Sequence, residues 1–396
     1  MIVEIKITEL AIGNYVVDIV KQQGHYNLTS AGHIKSQKVI QNLASKGVET
    51  LLIDTSKQLK QDKEPELDTP IEEITEDQGP GVPTILEINK AKKLFKESKE
   101  IQRKVFEEAQ SGRELNLTPV IEVTNRTIET VFKNPDALAC VINIRNKDEY
   151  LLEHSVSVSV LMTIFARFLK IEKSIVEQLS VGAFLHDVGK ILIPDEVLNK
   201  PGKLTEAEFE VMKTHVNHSI DVIKRTPGIS ELSLEVAALH HEKLDGKGYP
   251  FGVPAKDITT YGRMITICDI FDALTANRVY KDGYSHVKAF SILRNLAQKN
   301  HIEARLVDLF IKCMGVYPVG SLVELNSNKL AIVEARNQED PIRPKVRSFY
   351  NAEFHHYVMT EDIDLTNGDD FIVKGVRADD FDLDMNKIIE FLLMEG

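Results

Sequence analysis

The sequence has few cysteines and no paired cysteine motif. Its three cysteines, Cys140, Cys268 and Cys313, form no CxxC pair. This excludes a disulfide framework and a thiolate zinc site as the basis of the fold. The same usage fits a reducing compartment, and we expect a cytoplasmic protein.

Long apolar runs and a signal-peptide pattern are also lacking. No apolar run approaches the roughly 18–20 residues that a membrane-spanning helix needs. The N-terminus alternates charged and apolar positions, as in Glu4, Ile5 and Lys6, instead of placing a basic segment before an apolar one. We therefore expect no membrane span and a strand at the N-terminus.

The chain has no surplus of positive charge. Its formal net charge is -12 and its isoelectric point is about 5.6. Binding to a nucleic-acid polymer depends on broad cationic surfaces that release counterions from phosphates, so we expect no such partner. A phosphate-containing ligand would have to be bound by a local cluster of positive groups.

Hydrophobic periodicity divides the 396 residues into five segments. Residues 1–54 read as a small α+β module, 55–84 as a polar linker and 85–133 as connecting helices. Residues 134–320 have repeatedly helical spacing and contain every convincing motif. Residues 321–396 return to strand patterns, beginning with a hairpin around Asn326-Ser327-Asn328, and form a β-rich tail.

The first connecting helix has sparse apolar positions. Ile88, Leu94, Ile101, Val105 and Ala109 are separated by many lysines and glutamates. Such a pattern favours an exposed helix, or one that pairs with a second copy of the chain in a homodimer.

Histidines are concentrated in the helical segment, and several lie beside acids. Seven of the twelve histidines fall between His154 and His286. A single histidine on an apolar helix face is more often a hydrogen-bonded core residue than a ligand. Imidazole and carboxylate groups without thiolates, however, suit divalent cations such as iron, manganese, nickel or zinc. The consecutive pair His240-His241 points in two directions about 100° apart on a helix, which favours a site with two metals.

Two motifs resemble a known family. His186-Asp187-Val188-Gly189-Lys190 is similar to the HDxGK form of the HD phosphohydrolase superfamily, and the segment from His240 to Pro250 is similar to the HHExxDGxGYP signature of the HD-GYP family. The similarity extends over roughly residues 134–330 and implies a mainly α-helical HD-type catalytic domain. The first 130 residues resemble an uncharacterised module found ahead of HD-GYP domains, through short segments such as Glu9-Leu10 and Ile12-Gly13.

The resemblance implies a set of metal ligands, with Asp187 bridging two ions: His154, His186, Asp187, His215, His240, His241 and Asp269. Some family members bind a third metal through a glutamate one turn before the first histidine. This position is Tyr150 here, and Glu153 points elsewhere on the helix, so we expect two ions, with iron or manganese ahead of nickel or zinc. His218 is not a family ligand position, and we expect a structural role.

The resemblance also implies phosphate-binding residues. Lys190 follows the His-Asp pair by one turn and would stabilise charge on the scissile phosphate, while Arg278 and Lys281 would bind phosphates in the run that begins at Asp269. The alternative is that Arg278 and Lys281 form only a solvated cationic edge. Asp272 would orient a neighbouring side chain.

The Gly-Tyr-Pro loop has two plausible roles. Gly248 permits close backbone approach, and Tyr249 could bind a nucleotide. The alternative is a rigid turn that caps the helix carrying His240 and His241. The family resemblance also implies contacts between this loop and diguanylate cyclase domains.

The resemblance implies a phosphodiesterase in which a metal-activated hydroxide attacks phosphorus of cyclic di-GMP and yields linear pGpG, which could be cleaved on to GMP. Hydrolysis of 3'3'-cyclic GMP-AMP by the same site is an alternative, and so is a catalytically silent sensor of cyclic dinucleotides. A generic HD nucleotide hydrolase would not need Gly248-Tyr249-Pro250.

Overall fold

The structure is a computed structural model that describes residues 2–11, 14–23, 31–34, 37–57, 82–143, 149–276, 283–337, 339–385 and 387–388. The chain divides into two compact units, Met1–Asp68 and Thr69–Gly396. The expected fold class is confirmed: a small α+β unit precedes a helical domain, and a β-sheet follows it. The polar linker expected at 55–84 falls mostly at 58–81, outside the described residues.

The small unit is an antiparallel sheet with one described helix. Its strands are β1 (Ile2–Lys6), β2 (Tyr15–Gln22), β3 (Gly32–His33) and β4 (Val48–Asp54), in the order β1-β4-β2-β3, and its helix is α1 (Gln37–Ser45). Alternating apolar residues place Val16, Leu51 and Ile53 on one face, where they share a buried core with Ile40 and Leu43. The N-terminal strand expected from the sequence is present as β1.

The larger unit contains eleven α-helices among its described residues. They are α2 (Ile85–Gln110), α3 (Leu117–Lys133), α4 (Pro135–Ile142), α5 (Tyr150–Phe168), α6 (Lys173–Leu185), α7 (Asp195–Leu198), α8 (Glu206–Arg225), α9 (Glu231–Leu239), α10 (Thr260–Thr275), α11 (His286–Gln298) and α12 (Ala304–Met314).

Three helices that carry motif residues begin at hydroxyl side chains. The Oγ1 atom of Thr205 accepts a hydrogen bond from the backbone N–H of Glu208 (3.3 Å) at the start of α8. Ser230 and Thr259 accept corresponding bonds at the starts of α9 and α10. These bonds satisfy backbone donors that have no partner within the helix, and so fix where each helix begins.

The expectation that the first connecting helix is exposed is wrong, and its alternative, pairing with a second copy of the chain, stays a prediction. One face of α2 packs against α3, α4 and α5 within the same domain. The helix buries Ala91, Phe95 and Phe106, and also Ser98 and Gln102. Small and polar residues therefore complete a stripe that looked too sparse when only the larger aliphatic positions were considered.

Helix α5 is the only described helix long and apolar enough to cross a membrane by length and composition, with a mean hydropathy of 1.3. However, 78% of that stretch is buried inside the domain, where α5 packs against α6 and α10. We interpret α5 as the central core helix of the domain.

The C-terminal segment forms a five-stranded antiparallel sheet. Its strands are β5 (Leu322–Leu325), β6 (Lys329–Ala335), β7 (Lys345–Asn351), β8 (His356–Asp364) and β9 (Ile372–Val376), in the order β8-β7-β6-β5-β9. The hairpin expected around residues 326–328 is confirmed as β5 and β6. Leu322, Leu330 and Phe349 share a buried cluster with Ile88 of α2 and Cys140 of α4, so the sheet packs on the helical domain.

The turn that follows α6 is tightly packed against α8. Residues Val188–Leu192 form a short 3-10 helix, and the backbone N–H of Gly189 donates to Ser219 Oγ of α8 (2.8 Å). A Cβ atom at Gly189 would overlap the backbone of His215 and Ser219. Glycine is therefore required where the His-Asp turn meets the helix that carries His215.

We predict that Gly189→Ala lowers the free energy of unfolding by about 1–3 kcal/mol, because overpacking forces the turn away from α8. Gly375→Ala is the matched control, since a Cβ atom there would lie 3.8 Å from Ser285 Cβ, an ordinary contact. Chemical denaturation of both variants gives the comparison. Equal unfolding free energies for the two variants and the wild type would contradict the packing argument.

Candidate metal centre

The seven histidines and aspartates expected to bind metal come together at one place in the helical domain. His154 lies on α5, His186 and Asp187 directly follow α6, and His215 lies on α8. His240 and His241 directly follow α9, and Asp269 lies on α10. Residues far apart in sequence thus share one buried centre.

The first group is formed by His154, His186, Asp187 and Asp269. The Nε2 atoms of His154 and His186 both lie 3.2 Å from Asp187 Oδ2. They lie 3.0 and 3.8 Å from Asp269 Oδ1, respectively. These four residues are at most 5% exposed.

The second group is formed by His215, His240 and His241, whose ligand atoms lie within 4.8 Å of one another. The Nε2 atoms of His215 and His240 lie 3.2 and 3.6 Å from Asp187 Oδ1. His241 Nδ1 lies 3.5 Å from Asp269 Oδ2. The two oxygens of Asp187 therefore face two different groups of histidines.

Helix carbonyl groups orient three of the imidazoles. The Nδ1 atoms of His186, His215 and His240 lie 2.6–2.7 Å from the carbonyl oxygens three residues earlier, at Ala183, Met212 and Ala237. A carbonyl can only accept, so each Nδ1 carries a proton and each Nε2 presents a lone pair to the centre.

Asp272 orients the fourth imidazole. Its Oδ2 atom lies 2.7 Å from His154 Nδ1, one turn of α10 beyond Asp269. A carboxylate in this position fixes the tautomer and makes the imidazole a stronger ligand.

The residues fit divalent cations. Among the described residues, His154 Nε2, His186 Nε2 and Asp187 Oδ1 are buried and have no hydrogen-bond partner. Buried polar atoms normally have one, and a cation supplies the missing interaction. The donor set contains only imidazole nitrogens and carboxylate oxygens, which suits iron, manganese, nickel or zinc.

Electrostatics keep the two aspartates ionised. Burial opposes their charge, but Lys190 and His186 hold the pKa of Asp187 well below its usual range. Burial is likewise outweighed at Asp269, where the neighbouring His154, His186 and His241 hold the pKa well below its usual range. The centre thus has the negative charge that a cation requires.

The histidines differ in their response to this environment. Burial opposes charge on His154, but Tyr150 and the carboxylates of Asp187, Asp269 and Asp272 raise its pKa well above the usual value. Burial lowers the pKa of His240 to about 4. His240 is therefore a neutral imidazole at pH 7, the form that binds metal.

Lys190 lies beside the bridging position. Its Nζ atom forms an ion pair with Asp187 Oδ2, and its side chain is 16% exposed. An ammonium group here adds a positive charge at the edge of the centre, within reach of a ligand bound there.

The Gly-Tyr-Pro loop is held in place by Glu242. Glu242, 2% exposed, accepts hydrogen bonds from the backbone N–H groups of Phe251, Gly252 and Val253 at 2.8–3.1 Å. A Cβ atom at Gly248 would overlap the backbone of Glu242 and Lys243. Sequence reasoning missed the role of Glu242, although its position directly after His240-His241 was a signal.

Tyr249 packs against His241, one of the candidate metal ligands. Its ring lies 4.6 Å from the ring of His241 and 6.3 Å from that of His215, centroid to centroid. Lys213 Nζ lies 5.9 Å from the Tyr249 ring centroid. The loop is thus both a packed turn and a half-buried aromatic surface beside the centre.

Three residues near the centre were not expected to bind metal. Tyr150 stacks on His154 with ring centroids 5.5 Å apart. Glu153 forms an ion pair with Lys99 of α2 (2.8 Å). His218 is half-buried and belongs to none of the candidate metal groups found among the described residues. The residues expected to bind phosphate, Arg278 and Lys281, lie outside the described residues.

Two sequence families match the chain. Residues 140–306 match the HD domain family. Residues 2–120 match a domain of unknown function, DUF3391. The second match extends past the small unit through α2 and into α3.

Curated proteins with similar sequences are phosphodiesterases. Cyclic di-GMP phosphodiesterase PA4108 of Pseudomonas aeruginosa is 30% identical over 372 residues, which cover 92% of this chain and 89% of that protein. A cyclic di-GMP phosphodiesterase of Thermotoga maritima is 32% identical over 54% of this chain and 59% of its own length.

The 3'3'-cGAMP-specific phosphodiesterase 2 of Vibrio cholerae is 43% identical over 32% of this chain and 24% of its own length. The match to the Pseudomonas protein spans nearly the whole of both chains and includes the metal centre. This chain belongs to the HD-GYP family of phosphodiesterases, with a module of unknown function ahead of its HD domain.

Proposed function

We propose that the protein is a phosphodiesterase that hydrolyses cyclic di-GMP to linear pGpG, with further cleavage to GMP as a second step. The observation that carries this proposal is Asp187, whose two oxygens each lie 3.2–3.6 Å from histidines of a different group. The Pseudomonas relative, similar over 92% of the chain, supports the substrate.

The proposed cofactor is a pair of divalent cations, with iron or manganese ahead of nickel or zinc. His154, His186, Asp269 and one oxygen of Asp187 would hold one ion, and His215, His240, His241 and the other oxygen would hold the second. Such a pair supplies an activated water and stabilises negative charge on the phosphate oxygens.

The remaining roles fall to residues around the centre. Lys190 stabilises charge on the scissile phosphate, because its ammonium lies at the edge of the centre beside Asp187. Arg278 and Lys281 bind the phosphates, while Tyr249 and Gly248 form the surface that contacts the nucleotide. Water adds to phosphorus and the ribose 3' oxygen leaves with a proton, which opens the ring.

Two ions, not three, are proposed because the residue one turn before His154 is a tyrosine and not a carboxylate. Tyr150 occupies the position of the glutamate that some family members use. Glu153 Oε1 lies 2.8 Å from Nζ of Lys99, a residue of α2.

Hydrolysis of 3'3'-cyclic GMP-AMP is a second candidate. It is supported by the 43% identity of the Vibrio cholerae relative over 130 residues. The metal centre would act on the same phosphodiester in both substrates, so preference depends on how the bases are bound. A silent sensor is less favoured, because all seven expected ligands are present and brought together.

The cellular compartment and the protein partners also remain predictions. Three buried free thiols support a reducing, cytoplasmic compartment. Binding of a diguanylate cyclase domain at the Gly-Tyr-Pro loop is proposed from the family resemblance. Homodimer formation stays a prediction.

Turnover by the metal-loaded protein tests the proposed function. We expect purified protein loaded with Mn²⁺ or Fe²⁺ to convert cyclic di-GMP to pGpG, measured by chromatography. Cyclic GMP-AMP is assayed in parallel to give the ratio of kcat/KM values. Binding of both dinucleotides without hydrolysis, in protein that has bound its metals, would contradict the enzyme and favour the sensor.

Lys190→Ala separates phosphate stabilisation from metal binding. We predict nearly unchanged metal content and a fall in kcat of at least about tenfold, equivalent to ~1.4 kcal/mol of transition-state stabilisation. Lys173→Ala is the matched control, since Lys173 is exposed at the opposite end of α6 from His186. Loss of metal from Lys190→Ala, measured by elemental analysis, would instead assign Lys190 to the support of Asp187.

A further inference from the structure

Helix α2 contributes a buried ion pair to the helix that carries His154. Lys99 of α2 is 12% exposed, and its Nζ atom lies 2.5 Å from Glu149 Oε2 and 2.8 Å from Glu153 Oε1. Glu153 is 3% exposed and directly precedes His154. Lys99 therefore connects α2 to the first turn of α5, on which the first metal-site histidine lies.

This connection comes from a segment outside the HD domain match. Residues 2–120, which include all of α2, match the domain of unknown function, whereas the HD domain match begins at residue 140. Yet α2 contacts both α5 and the Val188–Leu192 turn that carries Lys190. A helix from the segment that matches the domain of unknown function therefore packs against two elements that carry residues of the centre.

The two glutamates differ in how they depend on Lys99. Glu149 also binds Arg103 at 2.9 Å, so it keeps a positive partner if Lys99 is removed. Glu153 is far more buried than Glu149, which is 35% exposed, and removal of the lysine beside a carboxylate this buried favours movement of the carboxylate. Movement of Glu153 changes the backbone and ring position of the adjacent His154.

We propose that Lys99 is a positioning residue for the metal centre: it holds Glu153, and through it His154, where His154 can share a cation with His186 and Asp269. This inference rests on the proposed two-metal function. It also gives part of the uncharacterised N-terminal family a role, because α2 supports the catalytic helix.

The proposal predicts a selective defect. Of the seven expected ligands, only His154 lies on α5, while the second group comes from α8 and from the end of α9. Loss of Lys99 should therefore weaken the ion held by His154, His186 and Asp269, and leave the ion at His215, His240 and His241 in place. A general loss of stability would instead weaken the binding of both ions.

The test is a titration of the full-length apoprotein with Mn²⁺ alone, followed by calorimetry, with elemental analysis after dialysis. For Lys99→Met we expect one dissociation constant to rise about ten- to one-hundredfold and the other to stay unchanged, as for removal of a residue that supports a ligand. Lys99→Arg, which keeps the charge, should retain both ions.

Arg126→Gln is the matched control. Arg126 Nη1 binds Glu97 Oε1 of the same helix α2 at 2.6 Å, but this pair is 41–48% exposed and joins α2 to α3. We expect this variant to bind two ions with unchanged dissociation constants. Equal losses in Arg126→Gln and Lys99→Met would overturn the proposal.

A double variant separates position from stability and serves if Lys99→Met does not fold. Lys99→Met with Glu153→Gln removes the buried carboxylate together with its lysine, so the unfolding free energy should recover, yet the first ion should remain weakened because residue 153 is no longer joined to α2 by an ion pair. Recovery of both ions in the double variant, unchanged binding in a folded Lys99→Met, or loss of both ions would overturn the positioning role. A wild type that binds fewer than two ions would contradict the proposed function itself.

Discussion

The buried carboxylate of Asp187 is the constraint on which the rest of the structure depends. It is fully buried, and its two oxygens face separate histidine groups at 3.2–3.6 Å. An ionised carboxylate is costly to bury unless several positive or donor groups surround it. Five helices provide these groups. The geometry of the centre therefore depends on how α5, α6, α8, α9 and α10 pack against one another.

A layer of supporting contacts keeps the imidazoles in place. Three histidines are fixed by carbonyl groups of their own helices, and His154 is fixed by Asp272. His186 and His240 directly follow the last turns of α6 and α9, where the carbonyl three residues earlier lies within reach of each ring. Glu242 holds the loop beside the centre, and Lys99 holds the first turn of α5.

Much of the centre could be predicted from sequence because its ligands are carried by short motifs. The pair His186-Asp187 and the segment from His240 to Pro250 identify the chemistry, and the family resemblance supplies His154, His215 and Asp269. The structure brings all of them together. The same holds for the N-terminal strand and the hairpin of β5 and β6, where local alternation determines the element.

The parts that sequence reasoning missed depend on packing between distant segments. Helix α2 was expected to be exposed because its apolar positions are sparse among lysines and glutamates, and only the tertiary structure shows that Ser98 and Gln102 belong to a buried face. The three N–H groups bound by Glu242 come from residues nine to eleven positions later, a pairing that helical periodicity does not encode. Lys99 and Glu153 are 54 residues apart, so their ion pair has no local signal.

The central claim is that Asp187 joins two metal sites in one buried centre. Anomalous diffraction from crystals of the manganese-loaded protein tests it most directly. The account predicts two anomalous peaks, one beside His154, His186 and Asp269 and one beside His215, His240 and His241, with one oxygen of Asp187 bound to each. A single peak, or two peaks that Asp187 does not connect, would contradict it.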